Sequence, residues 1–84
     1  MKFKARVYIR LYESVSDAAG NAIKANVNKV AKDIDVSDLR IGKIIELTFT
    51  AENEEKAREQ LDLLSDRMFA NIVIEAWEYD LEVV

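Results

Sequence analysis

From Phe3 to Tyr12 the chain alternates without interruption, with Phe3, Ala5, Val7, Ile9 and Leu11 on one side and Lys4, Arg6, Tyr8, Arg10 and Tyr12 on the other. Successive side chains of an extended strand point to opposite faces, so this pattern predicts a half-buried strand with one face turned to a core. A slip of one residue would carry every apolar group into water. The rest of the chain must therefore be arranged against that face.

After this strand, Ser16 or Asp17 caps a helix, and Ala19, Ile23, Val27 and Val30 recur along one of its sides. The helix is predicted from about Asp17 to Lys32. Between Val36 and Ala51 the sequence becomes β-rich again, and Gly42 alone accepts positive φ there without steric conflict. A tight hairpin at Ile41 to Lys43 is expected, with a short arm Val36 to Arg40 and a longer one Ile44 to Ala51. Asn53 caps a second helix, with Glu54 and Glu55 placed at the positive end of its dipole and Ala57, Leu61, Leu64 and Met68 as its apolar stripe. A last strand runs from Val73 to about Val83, carrying Trp77, Tyr79, Leu81 and Val83 on one face and Glu78, Asp80 and Glu82 on the other.

The order β-α-β-β-α-β makes the expected class α+β: a two-layer sandwich, with an antiparallel sheet and both helices on one face, ferredoxin-like or related. If the outer strands are neighbours, the basic row Lys4, Arg6 and Arg10 meets the acidic row Glu78, Asp80 and Glu82 on the other face. Those charges either neutralise one another in water or fix the register of a subunit contact made with Tyr8 and Tyr12. Ile44, Ile74 and Ala76 lie opposite the groups facing the helices, which predicts an uncovered apolar sheet face and a homodimer through the sheet or its edge. With 84 residues the chain forms one domain with a small core, a further reason to expect association.

The chemistry available is narrow. The chain has neither His nor Cys, which removes the usual general base, the best nucleophile, thiolate metal sites and disulfides. Glu52, Glu54, Glu55 and Glu59 fit a helix N-terminus better than a metal or acid-base pair. Ser14 and Ser16 have no nearby base. Lys43 after Gly42 lacks the Gly-rich cradle of a phosphate loop, so it is either an exposed turn lysine or a contact to a phosphate or carboxylate. Glu46 interrupts an apolar strand and either points to solvent or pairs with Arg40 or Lys43. A net charge of -4 weighs against nucleic acid. The start Met1-Lys2-Phe3-Lys4 has no apolar run of a signal peptide or membrane span, so a cytoplasmic protein without membrane contact is expected.

The segment Asp38-Leu39-Arg40-Ile41-Gly42-Lys43-Ile44-Ile45-Glu46-Leu47 resembles, in order and spacing, the V-R-x-G-K-x-I-E-L segment of the PurS family, the small accessory subunits of phosphoribosylformylglycinamidine synthase. Ala70-Asn71 followed by Val73-Ile74-Glu75 resembles that family's L-A-N-P-V-I-E block. Val7-Tyr8-Ile9 to Leu11 is similar to its opening strand, and Val15, Asp17, Gly20 and Ala22 follow its G-V-L-D-P-Q-G-x-A-V outline. Ser14 stands where the family has Gly, Ser16 where it has Leu, Ala18-Ala19 where it has Pro-Gln, and Ile72 where it has Pro.

The resemblance implies a homodimer or a dimer of dimers, without catalytic residues, metal or cofactor of its own. It implies a scaffold in purine synthesis that joins a PurL-like synthetase, which holds ATP and Mg, to a PurQ-like glutaminase, so that ammonia passes between them to formylglycinamide ribonucleotide. The contact residues expected on that basis are Arg40, Gly42, Lys43, Glu46, Asn71 and Glu75. A different reading of the same residues is a small-metabolite-binding regulatory module of βαββαβ type. An RNA-binding sheet would need exposed aromatics within a basic surface.

Overall fold

The computed structural model describes residues 1–84. Strand β1 (Lys2–Leu11) is followed by helix α1 (Ala18–Asn26) with a 3-10 turn at Val27–Lys29. Strand β2 (Gly42–Thr50), helix α2 (Glu54–Leu64) continued by a π turn at Ser65–Phe69, and strand β3 (Glu75–Val83) complete the chain. The sheet has the order β2-β1-β3 and both pairings are antiparallel, so the alternating first strand lies in the centre. The α+β class and the antiparallel sheet stand as expected. The strand expected over Val36–Arg40 is not in the sheet, which has three strands.

Register explains the core. Val7 lies between Ile45 and Tyr79, and Ile9 between Lys43 and Trp77, so the odd-numbered residues of all three strands share one face. On β1, Phe3, Ala5, Val7 and Ile9 are each at most 2% exposed. Helix α2 closes this face with Ala57 and Leu61, both fully buried. Asn53 caps α2 as expected, accepting the Lys56 N–H at 2.8 Å.

The apolar stripe of α2 departs from its sequence phase at the π turn. Widening from i→i+4 to i→i+5 bonding rotates the residues that follow. The Ala70 N–H accordingly donates to Ser65 O, Phe69 and Ala70 reach the core, and Met68, expected inside, is 73% exposed. Ser65 takes the inward position instead, and its buried hydroxyl has no hydrogen-bond partner.

Three further expectations change. Helix α1 ends at Asn26 rather than near Lys32, because the asparagines there compete for backbone groups: Asn26 Nδ2 donates to Ala22 O, and Asn28 Nδ2 donates to Ile34 O in the returning chain. The hairpin at Ile41 to Lys43 does not form. Gly42 has no positive φ; it opens β2 opposite Arg10, where an added Cβ would lie 3.0 Å from Ile9 O. The segment before it runs beside α1, with Lys24 Nζ donating to Ser37 O, so side chains of α1 meet backbone groups that a strand ladder would have used. Finally, α1 supplies no residue to the core cluster, which is closed by α2 alone.

The root of α1 is fixed by a single carboxylate. Buried Asp17 accepts the Gly20 N–H at 2.8 Å as helix cap and the Ile41 N–H at 2.7 Å, tying the start of α1 to the start of β2. Gly20 permits this approach, since a Cβ there would lie 2.7 Å from Asp17 Oδ2 and 2.8 Å from Leu39 O. The opposite face of the sheet is charged rather than apolar. Arg6 meets Glu46 at 3.9 Å, Arg10 meets Glu78 at 3.2 Å, and Tyr8 donates to Asp80 at 2.8 Å, which raises the Tyr8 hydroxyl above its ordinary pKa. The two ion pairs are exposed and contribute little to stability.

Two outcomes are expected. Ser65→Ala removes an unpartnered buried hydroxyl and raises stability by about 1 kcal/mol, or roughly 4–8 °C in Tm, read by thermal unfolding. The hydrogen bonds from Ile41 and Gly20 hold the Asp17 carboxyl below its usual pKa. Its stabilising effect is therefore complete above the unfolded value of about 3.9 and lost as pH falls through the lower folded value. Asp17→Asn lowers Tm near neutral pH and flattens the fall of Tm in acid; an unchanged acid limb would refute this role.

Candidate partner-binding site

At the end of the sheet where β1 stops and β3 starts, several expected contact residues come together around Tyr12. The Tyr12 N–H donates to Ile74 O at 3.0 Å, and its hydroxyl donates to Ile72 O at 2.9 Å. From the other side, Arg40 donates to Tyr12 O at 3.0 Å and to Val15 O at 2.6 Å. Tyr12 thus joins the loop before β2 to the turn before β3.

That turn is held by the two ends of the Asn-x-x-x-Glu spacing. Asn71 N–H donates to Glu75 Oε1 at 2.7 Å, the Val73 N–H donates to Asn71 Oδ1 at 3.2 Å, and the Glu75 N–H donates to Asn71 O at 2.7 Å. Lys43 reaches Glu75 Oε2 at 3.7 Å, linking the first residues of β2 and β3 across the central strand. The Glu75 side chain is shielded while Lys43 is open to water, so the pair holds geometry more than it stabilises. Of the expected residues, Arg40, Gly42, Lys43, Asn71 and Glu75 gather here. Glu46 does not. It lies on the charged face beside Arg6 and pairs with neither Arg40 nor Lys43.

Fixing this turn presents apolar side chains to water. Val73 is 81% exposed, and Ile72, Ile74 and Tyr12, which share the hydrogen bonds of this turn, are exposed too, as are Met68 and Ile41. An apolar patch on a rigid frame with a polar rim has the make-up of a protein contact. Sequence reasoning found Asn71 and Glu75 only through resemblance, and weighed Tyr12 only for a subunit contact on a sheet face rather than as the link between two loops. The signal for Tyr12 was present: it ends the alternating strand with a polar-tipped aromatic, a residue that seeks a hydrogen-bond partner when partly covered.

No group of three or more His, Cys, Asp or Glu side chains converges as a metal site. The shallow cavity beside Gly42, about 380 Å³, is lined by Tyr8, Arg10, Arg40, Lys43 and apolar neighbours. Two of its cations already have acidic partners, Lys43 with Glu75 and Arg10 with Glu78. No helix is long and apolar enough to cross a membrane.

Comparison with known proteins bears on this end of the molecule and on the fold as a whole. Residues 4–83 match the family model PurS, phosphoribosylformylglycinamidine (FGAM) synthase. The chain is 40% identical to the phosphoribosylformylglycinamidine synthase subunit PurS of Synechocystis sp., over 94% of this chain and 78% of that protein. It is 37% identical to the PurS subunit of Bacillus subtilis, over 98% and 95%. Among solved structures, PurS of Thermus thermophilus superposes with a TM-score of 0.86 at 26% identity, over 100% and 99% of the two chains. A chain of the PurLQS structure from Thermotoga maritima gives a TM-score of 0.86 at 30% identity, over 98% and 99%. A family match over almost the whole chain, joined to the same fold and to the Arg40–Lys43 and Asn71–Glu75 signatures that build one end of the sheet, shows that the chain belongs to the PurS family of phosphoribosylformylglycinamidine synthase subunits.

Proposed function

We propose that this chain is a non-catalytic scaffold of phosphoribosylformylglycinamidine synthase, acting in the cytoplasm as a homodimer or a dimer of dimers. It holds a PurL-like synthetase and a PurQ-like glutaminase in the geometry that lets ammonia pass between them. ATP and Mg belong to the synthetase, and this chain contributes proximity and orientation. The observation that carries the reading is the rigid frame of Tyr12, Arg40, Asn71 and Glu75 with its exposed apolar rim. The presence of a PurS chain in the PurLQS structure of Thermotoga maritima supports the choice of partners.

In this reading the signature residues divide their work. Arg40, Asn71 and Glu75 are engaged within the chain and shape the contact surface, while Lys43 and the rim side chains Met68, Ile72 and Val73 meet the partner. Because Val73 is exposed, replacing it does not disturb the core.

Reconstitution tests this directly. Glutamine-dependent synthesis by the purified synthetase and glutaminase is expected to require this chain, while ammonia-dependent synthesis by the synthetase is expected to be much less affected by its omission. Equal glutamine-dependent rates with and without the chain would overturn the scaffold role. Val73→Asp is expected to weaken assembly about tenfold or more, the effect of spoiling one well-packed apolar contact, with unchanged circular dichroism. Stabilisation of the chain by an amino acid or nucleotide alone, in a thermal-shift screen, would favour a metabolite-binding module instead.

A further inference from the structure

The chain carries a net charge of -4, yet one cleft on its surface is basic. Beside Gly42, where β2 starts, the cleft of about 380 Å³ is walled by Arg10, Arg40 and Lys43, with Tyr8, Ile41 and Ile44, and no acidic residue lines it. A second cleft of about 730 Å³ adjoins it, since Arg10 and Arg40 line both. Tyr12, Glu13 and Asp38 line the second one, so the pair of clefts continues to the apolar rim around Tyr12.

The two shared arginines are engaged differently. Arg40 is held in place by Tyr12 O and Val15 O, and both bonds come from Nη2. Its Nε and Nη1 have no acceptor in the chain, it forms no ion pair, and the residue is open to water. Asp17, whose carboxyl group feels the Arg40 charge, has both oxygens occupied by the Gly20 and Ile41 N–H groups. Arg10 does have a partner, Glu78 at 3.2 Å, but their side chains are 68% and 64% exposed, and a pair of that kind is exchanged at little cost. Gly42 lies opposite Arg10 in the ladder, and a Cβ there would stand 3.7 Å from Arg10 Cβ, so the glycine keeps the space beside Arg10 free.

We infer that this cleft is a docking site for an acidic segment of a partner polypeptide, which sets one carboxylate between Arg10 and Arg40 and apolar side chains against Ile41 and Ile44. A free anion in so open a cleft keeps most of its water and gains little. A polypeptide covers the cleft, and the charge pair strengthens as water is excluded. Glu13 and Asp38 in the adjoining cleft repel a polyanion, so a single carboxylate with apolar neighbours fits where a run of phosphates does not. The inference rests on the scaffold reading above and adds to it the chemistry that the synthetase or the glutaminase presents.

Calorimetric titration of the chain with the purified synthetase, and separately with the purified glutaminase, tests it. Arg10→Glu is expected to weaken association with the enzyme that docks here about tenfold or more, the loss of one water-excluded charge pair, with unchanged circular dichroism. Glu78→Gln releases Arg10 from its competitor and is expected to strengthen the same association about two- to fivefold, the cost of breaking one exposed pair. A purely structural Arg10–Glu78 pair predicts effects of the same sign, or none. With isotope-labelled arginine, the Arg40 Nε–H resonance should shift when that enzyme binds and stay in place with free glutamate or inorganic phosphate. A shift with glutamate or phosphate and none with either enzyme would assign the cleft to a small anion and overturn the docking. Arg10→Glu and Glu78→Gln both without effect, while Val73→Asp weakens assembly, would overturn the cleft and leave the scaffold standing. A native chain that binds neither enzyme would overturn both.

Discussion

The packing of this molecule is organised around the inward side chains of its central strand. Phe3, Ala5, Val7 and Ile9 are excluded from water by three neighbours at once: β2 on one side, β3 on the other and α2 above. Burying a strand on both edges and one face gives a small domain the largest return in apolar area that three strands allow. It also fixes register, because a shift of either edge strand would send Ile45, Leu47 and Phe49, or Trp77, Tyr79 and Leu81, to the charged side. Only 10 of the 84 residues are buried, so little stability remains for parts outside the core cluster, and α1 is one of them.

Interaction surfaces arise where the core stops. The Tyr12, Arg40, Asn71 and Glu75 bonds spend polar groups on holding the end of the sheet, and the apolar side chains between them are left facing outward. The π turn does the same for Met68 by bringing Ser65, Phe69 and Ala70 inward in its place. At the opposite edge of this region, Asp17 holds α1 at its root through two backbone N–H groups, which sets the direction of the helix without covering its apolar side. Such a chain is suited to assembly, with rigid local frames presenting surfaces that it cannot cover itself.

The edge of β3 and helix α2 are joined by aromatic and polar contacts of a different kind. Tyr79 donates to Asp62 at 2.7 Å, stacks on Trp77 at 5.9 Å and lies under Arg58 at 5.9 Å. Burial first, and then the hydrogen bond to Asp62, raises the Tyr79 hydroxyl above its ordinary pKa, so it remains a neutral donor throughout the physiological range. This cluster ties α2 to the β3 side and forms one wall of an acidic groove beside it.

The amino-acid pattern by itself determined the three strands, the position and cap of α2, and the class of fold, because alternation and an Asn cap are local signals that burial reinforces. It also placed Arg40, Lys43, Asn71 and Glu75 among the residues that matter, through resemblance rather than through any visible chemistry. It did not disclose that Val36–Arg40 forgoes a strand, since the competition there is between a sheet edge and the side chains of α1 and Asp17, which are distant in sequence. Nor did it disclose that Glu46 pairs with Arg6, that Tyr12 joins two loops, or that α1 supplies nothing to the core. Those outcomes depend on which groups meet after β1 has taken the central position, and only the tertiary structure decides that.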